Sequence, residues 1–256
     1  MTQAVKRTGT AWITGGATGI GFACARRLGQ SGFRVAISGR RQVELTRARD
    51  ELAAQGIEVK IFPLDVSDAE AVARVAKTIA TELGPITALV CSAGTNVTAR
   101  SWKQLAAADF ARVAAINLNG VAYCVSAVLP GMRALRAGSI VVVSSWAGWT
   151  YLPVAGAVYG ATKRALGPVV ESINDQEGEQ GIRATLLCPA EVATPILATR
   201  PRPPAPADIA RMLQPDDIAQ AAAYAIEAPP HVCLNEIVIT PTYNRFYVGA
   251  QDLQRL

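Results

Sequence analysis

Short runs rich in valine, isoleucine and alanine recur along the chain, separated by longer stretches in which apolar residues have helical spacing. Apolar runs of this length predict strands that are buried on both faces. The predicted strands are 10–14, 33–38, 59–62, 88–91, 139–144, 184–188 and 236–240. The longer stretches predict helices, among them 21–31, 43–55, 69–83, 110–135 and 158–180. This alternation predicts an α/β fold: a doubly wound parallel sheet of about seven strands with helices on both faces.

A proline-rich segment, 194–206, interrupts the alternation late in the chain. Its closely spaced prolines exclude a helix interior or a central strand, so we predict a loop. The segment follows a strand that ends at Cys188, which places it at the carboxyl edge of the sheet, where open α/β folds bind ligands. We expect residues 194–214 to form a lid over a substrate, and a plain connector is the alternative.

Size and composition narrow the functional classes. The 256 residues are predicted to form one domain, 1–256, because open α/β sheets of this length are often single units. The formal net charge is +5, but the basic residues are scattered, so nucleic acid is not an expected partner. Five cysteines lie far apart and His231 is the only histidine, so we expect neither a metal site nor a Ser-His-Asp triad.

The expected location is cytoplasmic. Residues 1–7 contain no apolar run of signal-peptide length, and no later stretch is expected to supply the ~20 apolar residues that a membrane helix needs. We therefore predict no membrane partner.

A glycine-rich turn, Thr-Gly-Gly-Ala-Thr-Gly-Ile-Gly at 14–21, joins the first predicted strand to the first helix. Glycine permits a tight turn and lets the backbone approach a pyrophosphate, which the N–H groups of the helix start can bind. The cofactor-binding residues predicted in this turn are Gly15, Thr18, Gly19, Ile20 and Gly21. Taken alone, the motif is also compatible with an ordinary turn. A single Rossmann-fold domain is the expectation for the whole chain.

The end of the second predicted strand indicates which nicotinamide cofactor is bound. An acid near this point binds the ribose hydroxyl of NAD, but this chain has Arg40 and Arg41 here, with no acid before Glu44. A guanidinium can bind a 2′-phosphate through paired hydrogen bonds. We therefore predict NADP(H) in preference to NAD(H), with Arg40 and Arg41 as ligands; a solvated helix start is the alternative.

Tyr159 and Lys163 lie four residues apart on a predicted helix, after a serine pair, Ser144 and Ser145. One helical turn brings the two side chains to the same face, so the ammonium of Lys163 is expected to lower the pKa of the Tyr159 phenol. A phenol of lowered pKa can exchange a proton with a carbonyl oxygen while a hydride reaches the carbon. The set therefore predicts carbonyl–alcohol redox chemistry.

These motifs, in this order, resemble the classical short-chain dehydrogenase/reductase family over essentially the whole chain. The family's adenine-contacting Asp-Val pair corresponds to Asp65 and Val66, and its catalytic asparagine to Asn117 in Ile-Asn-Leu-Asn-Gly. Its serine, tyrosine and lysine fall on Ser145, Tyr159 and Lys163. Its late nicotinamide-contacting motif appears as Pro-Ala-Glu-Val-Ala-Thr, which contributes Pro189, Val192 and Thr194.

The resemblance implies a role for each residue. Tyr159 is the expected general acid in reduction and general base in oxidation, Ser145 binds the carbonyl oxygen, and Lys163 also holds the nicotinamide ribose. Asn117 is expected to position a water that links Lys163 to solvent. Ser144 could replace Ser145, Asn117 could merely bridge helices, and Asp65 could simply begin a turn or cap a helix.

Three departures from the family pattern stand out. The usual Asn-Asn-Ala-Gly is Cys-Ser-Ala-Gly at 91–94, so a structural asparagine is missing, although the backbone of Ala93 and Gly94 can still line the cofactor site. Ala190 replaces the glycine of the late motif, which would cost about 1 kcal/mol or more if that position required a positive φ. The interval from Ser145 to Tyr159 is one residue longer than expected.

Substrate identity is less well specified. Trp146, Trp149, Tyr151 and Leu152 are equally compatible with an apolar substrate wall and with core or interface positions. Family resemblance favours a homotetramer or homodimer. The predicted function is an NADP(H)-dependent oxidoreductase that interconverts a carbonyl and a secondary alcohol.

Two other functions stay open. In a 3-oxoacyl carrier-protein reductase, Arg133 and Arg136 would dock an acidic carrier. A non-catalytic NADP-sensing protein is the second, although sensors of that kind typically lack the Tyr-Lys pair.

Overall fold

The computed structural model describes residues 9–249 and Leu253. Within them, seven strands form one parallel sheet in the order β3-β2-β1-β4-β5-β6-β7. The strands are β1 (Thr10–Thr14), β2 (Arg34–Gly39), β3 (Val59–Pro63), β4 (Ile86–Cys91), β5 (Gly138–Val143), β6 (Ile182–Pro189) and β7 (Glu236–Ile239). Each predicted strand is present, with its ends within two residues of the prediction. Residues 1–7, on which the signal-peptide prediction rests, lie outside the described residues.

Helices connect the strands and cover both faces of the sheet. They are α1 (Gly19–Gln30), α2 (Gln42–Ala53), α3 (Ala69–Leu83), α4 (Ala107–Ala114), α5 (Gly120–Leu135), α6 (Trp146–Trp149), α7 (Ala157–Arg164), α8 (Leu166–Glu177), α9 (Pro206–Ile209), α10 (Pro215–Glu227) and α11 (Arg245–Val248). Short 3₁₀ turns occupy Pro153–Ala155, Gly178–Gln180 and Pro195–Thr199. Buried residues of α1, α2 and α10 pack on one face, and those of α3, α5 and α8 on the other. The predicted doubly wound single domain is therefore confirmed.

The predicted helix 110–135 is not one uniform helix. A π-helical segment, Ala115–Asn119, separates α4 from α5. The combined stretch Ala107–Leu135 is long and apolar enough to cross a membrane by length and composition, contrary to the sequence prediction. Its buried residues, including Cys124, Val128 and Met132, belong to the core under the sheet. It is a core helix whose apolar composition serves packing against β4 and β5.

The loop predicted for 194–206 contains short helical turns. The 3₁₀ turn Pro195–Thr199 and helix α9 both begin with proline, which is compatible with a helix start because that position needs no backbone N–H donor. Two backbone hydrogen bonds close the base of the wider segment: Ala193 N to Leu213 O (2.8 Å) and Leu213 N to Glu191 O (3.1 Å). The segment is therefore a loop that leaves the carboxyl edge of the sheet and returns to it.

The order of strands reverses between β1 and β4. From β1 the sheet continues through β2 and β3 on one side, and from β4 it continues through β5, β6 and β7 on the other. Loops that leave the carboxyl ends of β1 and β4 therefore diverge and leave a crevice between them.

Candidate active site

The crevice contains two adjoining cavities. The larger, of about 370 Å³, is lined by thirteen of the residues predicted to act in catalysis or in cofactor or substrate binding: Gly15, Thr18, Gly19, Ile20, Ala93, Gly94, Ser145, Trp146, Tyr159, Lys163, Pro189, Val192 and Thr194. The smaller, of about 160 Å³, is lined by Arg40, Arg41, Asp65 and Val66 together with the glycine-rich turn. Gly21 and Asn117 are buried and line neither cavity. One crevice therefore collects residues from the whole length of the chain.

The glycine-rich turn leaves no room for side chains. Gly15 has φ 65°, and a Cβ added there would lie 2.8 Å from the Ala93 N atom. A Cβ on Gly21 would lie 2.2 Å from the Gly15 carbonyl oxygen, so Gly21 serves the packing of the turn on α1. The start of α1 then faces the crevice with its free N–H groups, an arrangement that suits phosphate oxygens.

The smaller cavity carries the charges expected at the nucleotide end. Arg40 and Arg41 are exposed at its edge, and Arg41 Nη1 lies 3.7 Å from Glu44 Oε1. Asp65 Oδ1 accepts hydrogen bonds from the Ser67 N and Oγ atoms at 3.0 and 2.7 Å. Desolvation raises the pKa of Asp65, but the two Ser67 bonds and the charge of Arg40 outweigh it and lower the pKa overall. Asp65 therefore begins a turn, which was the alternative role given to it, and it also lines the smaller cavity.

Ser144 and Ser145 make different contacts and have different roles in the structure. Ser144 Oγ donates to the Lys163 carbonyl oxygen at 2.9 Å, and both residues are buried, so Ser144 fastens α7 to the end of β5. Ser145 caps α6 by accepting from the Ala147 N atom at 3.1 Å. It also lines the cavity and forms a side-chain hydrogen bond with Tyr159. Both serines line the cavity, but the Ser144 hydroxyl donates its hydrogen to the Lys163 carbonyl oxygen, so Ser145 is the better placed donor for a ligand.

Lys163 does not lower the pKa of Tyr159 as expected. Its Nζ atom lies 5.8 Å from the Tyr159 ring centre and donates to the Val143 carbonyl oxygen at 2.7 Å. Desolvation lowers the pKa of Lys163 to about 8, despite an opposing effect of the Cys91 and Cys188 thiols.

The pKa of Tyr159 is raised in this structure. Desolvation raises it, and the Ser145 hydrogen bond together with the charges of Arg100 and Arg200 opposes this only in part. The expected direction was therefore wrong, because burial outweighs the nearby charges and the ammonium of Lys163 is held by a backbone carbonyl. A raised pKa keeps the phenol protonated at neutral pH.

Asn117 lies in the π-helical segment. Its Oδ1 atom accepts from the Thr95 N atom at 2.8 Å, and its Nδ2 atom donates to the Thr95 carbonyl oxygen at 2.9 Å and to Thr162 Oγ1 at 3.3 Å. A π-helical turn often marks a functional position inside a helix. Here the π-helical turn directs the Asn117 amide toward the loop after β4 and toward α7. These contacts fit the alternative role given to Asn117, that of a residue that bridges structural elements.

The structure accounts for all three departures from the family pattern. The Ala93 N atom donates to Thr14 Oγ1 at 3.3 Å, which ties the loop after β4 to the end of β1 where the asparagine is missing. Among the described residues other than glycine, only Arg136 has a positive φ. Ala190 therefore carries no such strain. The lengthened interval is ordered by α6 and by a bond from Asn96 Nδ2 to the Ala155 carbonyl oxygen at 2.9 Å.

The aromatic segment after Ser145 contributes only part of a wall. Trp146 is buried, and its ring centroid lies 4.9 Å from that of Trp149. Trp146 and Leu152 line the larger cavity, whereas Trp149 and Tyr151 are exposed and do not. The cavity's remaining apolar residues include Val154, Ile196 and Leu197.

Sequence reasoning missed the charged outer end of the larger cavity, which we define as Arg100, Glu191 and Arg200. Arg200 Nη1 donates to Glu191 Oε1 at 2.6 Å, and Arg245 Nη1 reaches the same oxygen at 3.3 Å. Arg100 Nη2 donates to the carbonyl oxygen and Oγ1 of Thr199, in the segment 194–214. Glu191 lies in the late motif and Arg200 in the segment 194–214, but neither the motif nor the segment indicates that the two residues meet Arg100, which is about 100 positions earlier in the chain.

Comparisons with known proteins agree with this geometry. The short chain dehydrogenase family model matches residues 9–204. Glycine betaine reductase of Emericella nidulans is 33% identical over 90% of the chain, but the chain spans only 18% of that protein. The structure of an alcohol dehydrogenase from Thermococcus sibiricus complexed with 5-hydroxy-NADP is 29% identical, covers 93% of this chain and 99% of its own, and has a TM-score of 0.83. An actinorhodin polyketide ketoreductase with NADPH is 26% identical, with coverages of 94% and 98% and a TM-score of 0.85.

Proposed function

The chain belongs to the short-chain dehydrogenase family of oxidoreductases, and we propose that it is an NADPH-dependent carbonyl reductase that interconverts a ketone or aldehyde with an alcohol. One observation carries the proposal: Ser145, Tyr159 and Lys163 meet in the same cavity as the glycine-rich turn. The NADP-bound alcohol dehydrogenase and the NADPH-bound ketoreductase give independent support.

The residues present fit a dinucleotide. A backbone cradle that a Cβ would fill, a free helix start and two arginines follow one another along the crevice. Pro189, Val192 and Thr194 line the other side of the larger cavity, where the nicotinamide end would lie. NADPH, when bound, supplies the hydride.

The protein's own contribution is orientation and proton transfer. Ser145 and Tyr159 hold the carbonyl oxygen by hydrogen bonds, and Tyr159 gives that oxygen a proton in reduction. Lys163 would hold the nicotinamide ribose, and Asn117, which bonds to Thr95 and Thr162 beside the cavity, is proposed to help return a proton from solvent. Trp146 closes one side of the substrate space, and residues 194–214 cover it as a lid.

Arg40 and Arg41 are proposed to select NADPH over NADH. In the variant Arg40→Asp, a carboxylate would repel the 2′-phosphate, so we expect NADPH affinity to fall by roughly tenfold or more while NADH affinity changes little. Fluorescence titration with both cofactors measures this. Equal losses for the two cofactors would contradict the assignment.

The direct test of the function is NADPH oxidation over a panel of ketones, quinones, keto esters and 3-oxoacyl thioesters. Tyr159→Phe should lose about 10²-fold or more in rate because it removes the proton donor, and it should still bind NADPH. Tyr151→Phe is the matched control, since Tyr151 is 74% exposed and lies outside the cavity. Tight NADPH binding without turnover of any substrate would favour the sensor.

The carrier-protein alternative finds little support. Arg133 forms an ion pair with Glu177, and Arg136 Nη2 donates to the Glu179 carbonyl oxygen at 2.8 Å. Both arginines lie where α5 ends, just before β5 begins, which is the opposite edge of the sheet from the cavity. A carrier docked there could not deliver its acyl group to Tyr159.

We also propose that the chain self-associates. Strand β7 is an edge of the sheet with Val238 exposed, and the exposed Trp149 lines a groove formed by α6 and α8; Tyr151 is also exposed. An uncovered edge with aromatic neighbours is suited to pairing with a second copy. Gel filtration giving only a monomer of about 27 kDa would refute a tetramer or dimer. The cytoplasmic location stays a prediction.

A further inference from the structure

The outer end of the larger cavity carries positive charge next to the proposed proton donor. Arg100 and Arg200 both line the cavity that contains Tyr159, and Glu191 is the only acidic residue in that lining. With Lys163 at the inner end, the cavity lining holds three cationic side chains and a single carboxylate, and the two arginines lie at the outer end.

Arg100 is bound only by neutral oxygens. Its Nε atom donates to the Val97 carbonyl oxygen at 2.9 Å and its Nη1 atom to the Val154 carbonyl oxygen at 2.6 Å. Its Nη2 atom donates to the carbonyl oxygen and Oγ1 of Thr199, both at 3.1 Å. Within residues 9–249, no carboxylate lies at ion-pair distance from this guanidinium. Desolvation and the charge of Arg200 lower the pKa of Arg100 to about 10, so it remains protonated at neutral pH.

Arg200 is only partly neutralised. Its Nη1 atom donates to Glu191, and the same carboxylate oxygen also receives Arg245 Nη1. Glu191 is therefore shared between two guanidinium groups, and Arg245 has Asp208 as a second partner at 3.5 Å, whereas Glu191 is the carboxylate at ion-pair distance from Arg200 among the described residues. The Arg200 side chain is 10% exposed, and among the described residues no acceptor takes its Nε or Nη2 hydrogens. A planar guanidinium with free N–H groups is the group that best binds a carboxylate.

We propose that Arg200, with the charge of Arg100 beside it, binds an anionic group of the substrate, so that the enzyme's substrates are short oxo acids. The inference rests on the proposed function. A small substrate is expected because the cavity of about 370 Å³ must also hold the nicotinamide end of the cofactor. The carbonyl carbon takes a hydride from NADPH and the carbonyl oxygen takes the Tyr159 proton, which leaves a hydroxy acid and NADP⁺. The carboxylate itself is unchanged.

Charge selectivity separates this role from a structural one. The probes are 3-oxobutanoate, its methyl ester, and 4-(trimethylammonio)-2-butanone, a cationic ketone. The wild-type kcat/KM should be about tenfold or more higher for the acid than for the ester. In Arg200→Gln the acid-to-ester ratio should fall by roughly 10- to 100-fold, and Arg200→Lys should recover part of it.

The matched control is Arg202→Gln, a change on the same segment two residues away that lies outside the cavity lining. It should leave the acid-to-ester ratio unchanged. A lid that merely becomes disordered would slow acid and ester alike, so the ratio distinguishes lost charge from lost structure.

Two results would overturn the inference while leaving the proposed function intact: an acid-to-ester ratio that Arg200→Gln does not alter, or a wild-type preference for the cationic ketone. Failure to reduce any of the three probes, with NADPH bound, would count against both the inference and the proposed function.

Discussion

At the inner end of the cavity Ser145, Tyr159 and Lys163 come from one short span of chain, 144–163, whereas the charged outer end is assembled from distant segments. Arg100 meets Thr199 across 99 residues, and Glu191 meets Arg245 across 54. The inner end is held by hydrogen bonds to backbone carbonyls that β5 and α7 present in any sequence of this fold. The outer end is built from charged side chains of distant segments: Glu191 pairs with Arg200 and Arg245, and Arg100 bonds to backbone carbonyls that include those of Val154 and Thr199. The proposed chemistry therefore depends on contacts that the fold supplies, and the proposed selectivity on side chains particular to this chain.

The largest expected effect is a loss of stability when the outer end loses its carboxylate. Glu191→Ala removes a buried carboxylate shared by two guanidinium groups, so the free energy of unfolding should fall by about 3 kcal/mol or more. Urea denaturation measures it. Glu70→Ala, which removes a carboxylate 90% exposed, should change the same quantity by less than about 0.5 kcal/mol.

If both variants unfold at the same urea concentration, the outer charges are not held together by Glu191. The distinction between a side-chain-built outer end and a backbone-built inner end would then be lost.

A smaller effect distinguishes the two serines of the inner end. Ser145→Ala removes a donor to the carbonyl oxygen, so kcat should fall by about 10²-fold. Ser144→Ala removes the bond to the Lys163 carbonyl, which should cost about 1 kcal/mol of stability and leave most of the activity. Steady-state kinetics and thermal unfolding of both variants provide the comparison. The reverse pattern would exchange the two roles.

The smallest expected effect is a shift in the pH dependence of the reaction, because the charge of Arg200 acts on Tyr159. Arg200 lowers the pKa of Tyr159, so Arg200→Gln should raise that pKa further. Alcohol oxidation needs the deprotonated phenol, so the rise of kcat/KM with pH should move to higher pH. Carbonyl reduction needs the protonated phenol, and its plateau should extend in the same direction.

The control for this shift is Arg200→Lys, which keeps a positive charge and should keep the profile close to that of the wild type. Identical pH profiles for Arg200→Gln and the wild type would show that the outer end does not act on Tyr159.

Much of the architecture could be predicted from the sequence because strands and helices reflect local periodicity. The strands were predicted to within two residues, and the turn at 14–21 required its glycines for steric reasons visible in the motif. The π-helical segment around Asn117 could not be predicted, since its residues have the same periodicity as the helices that flank it. The helical turns within 194–214 were missed because proline was taken to exclude a helix, although it is accepted at a helix start.

By itself, the sequence determined the doubly wound sheet, the tight glycine-rich turn and the spacing of Tyr159 and Lys163, since each follows from neighbours within one or two turns. Only the tertiary structure decided that desolvation raises the pKa of Tyr159, that Lys163 bonds to a backbone carbonyl, and that Arg100 and Arg200 share a cavity with the phenol. Burial and the meeting of remote charges depend on how all the elements pack. No local pattern encodes them.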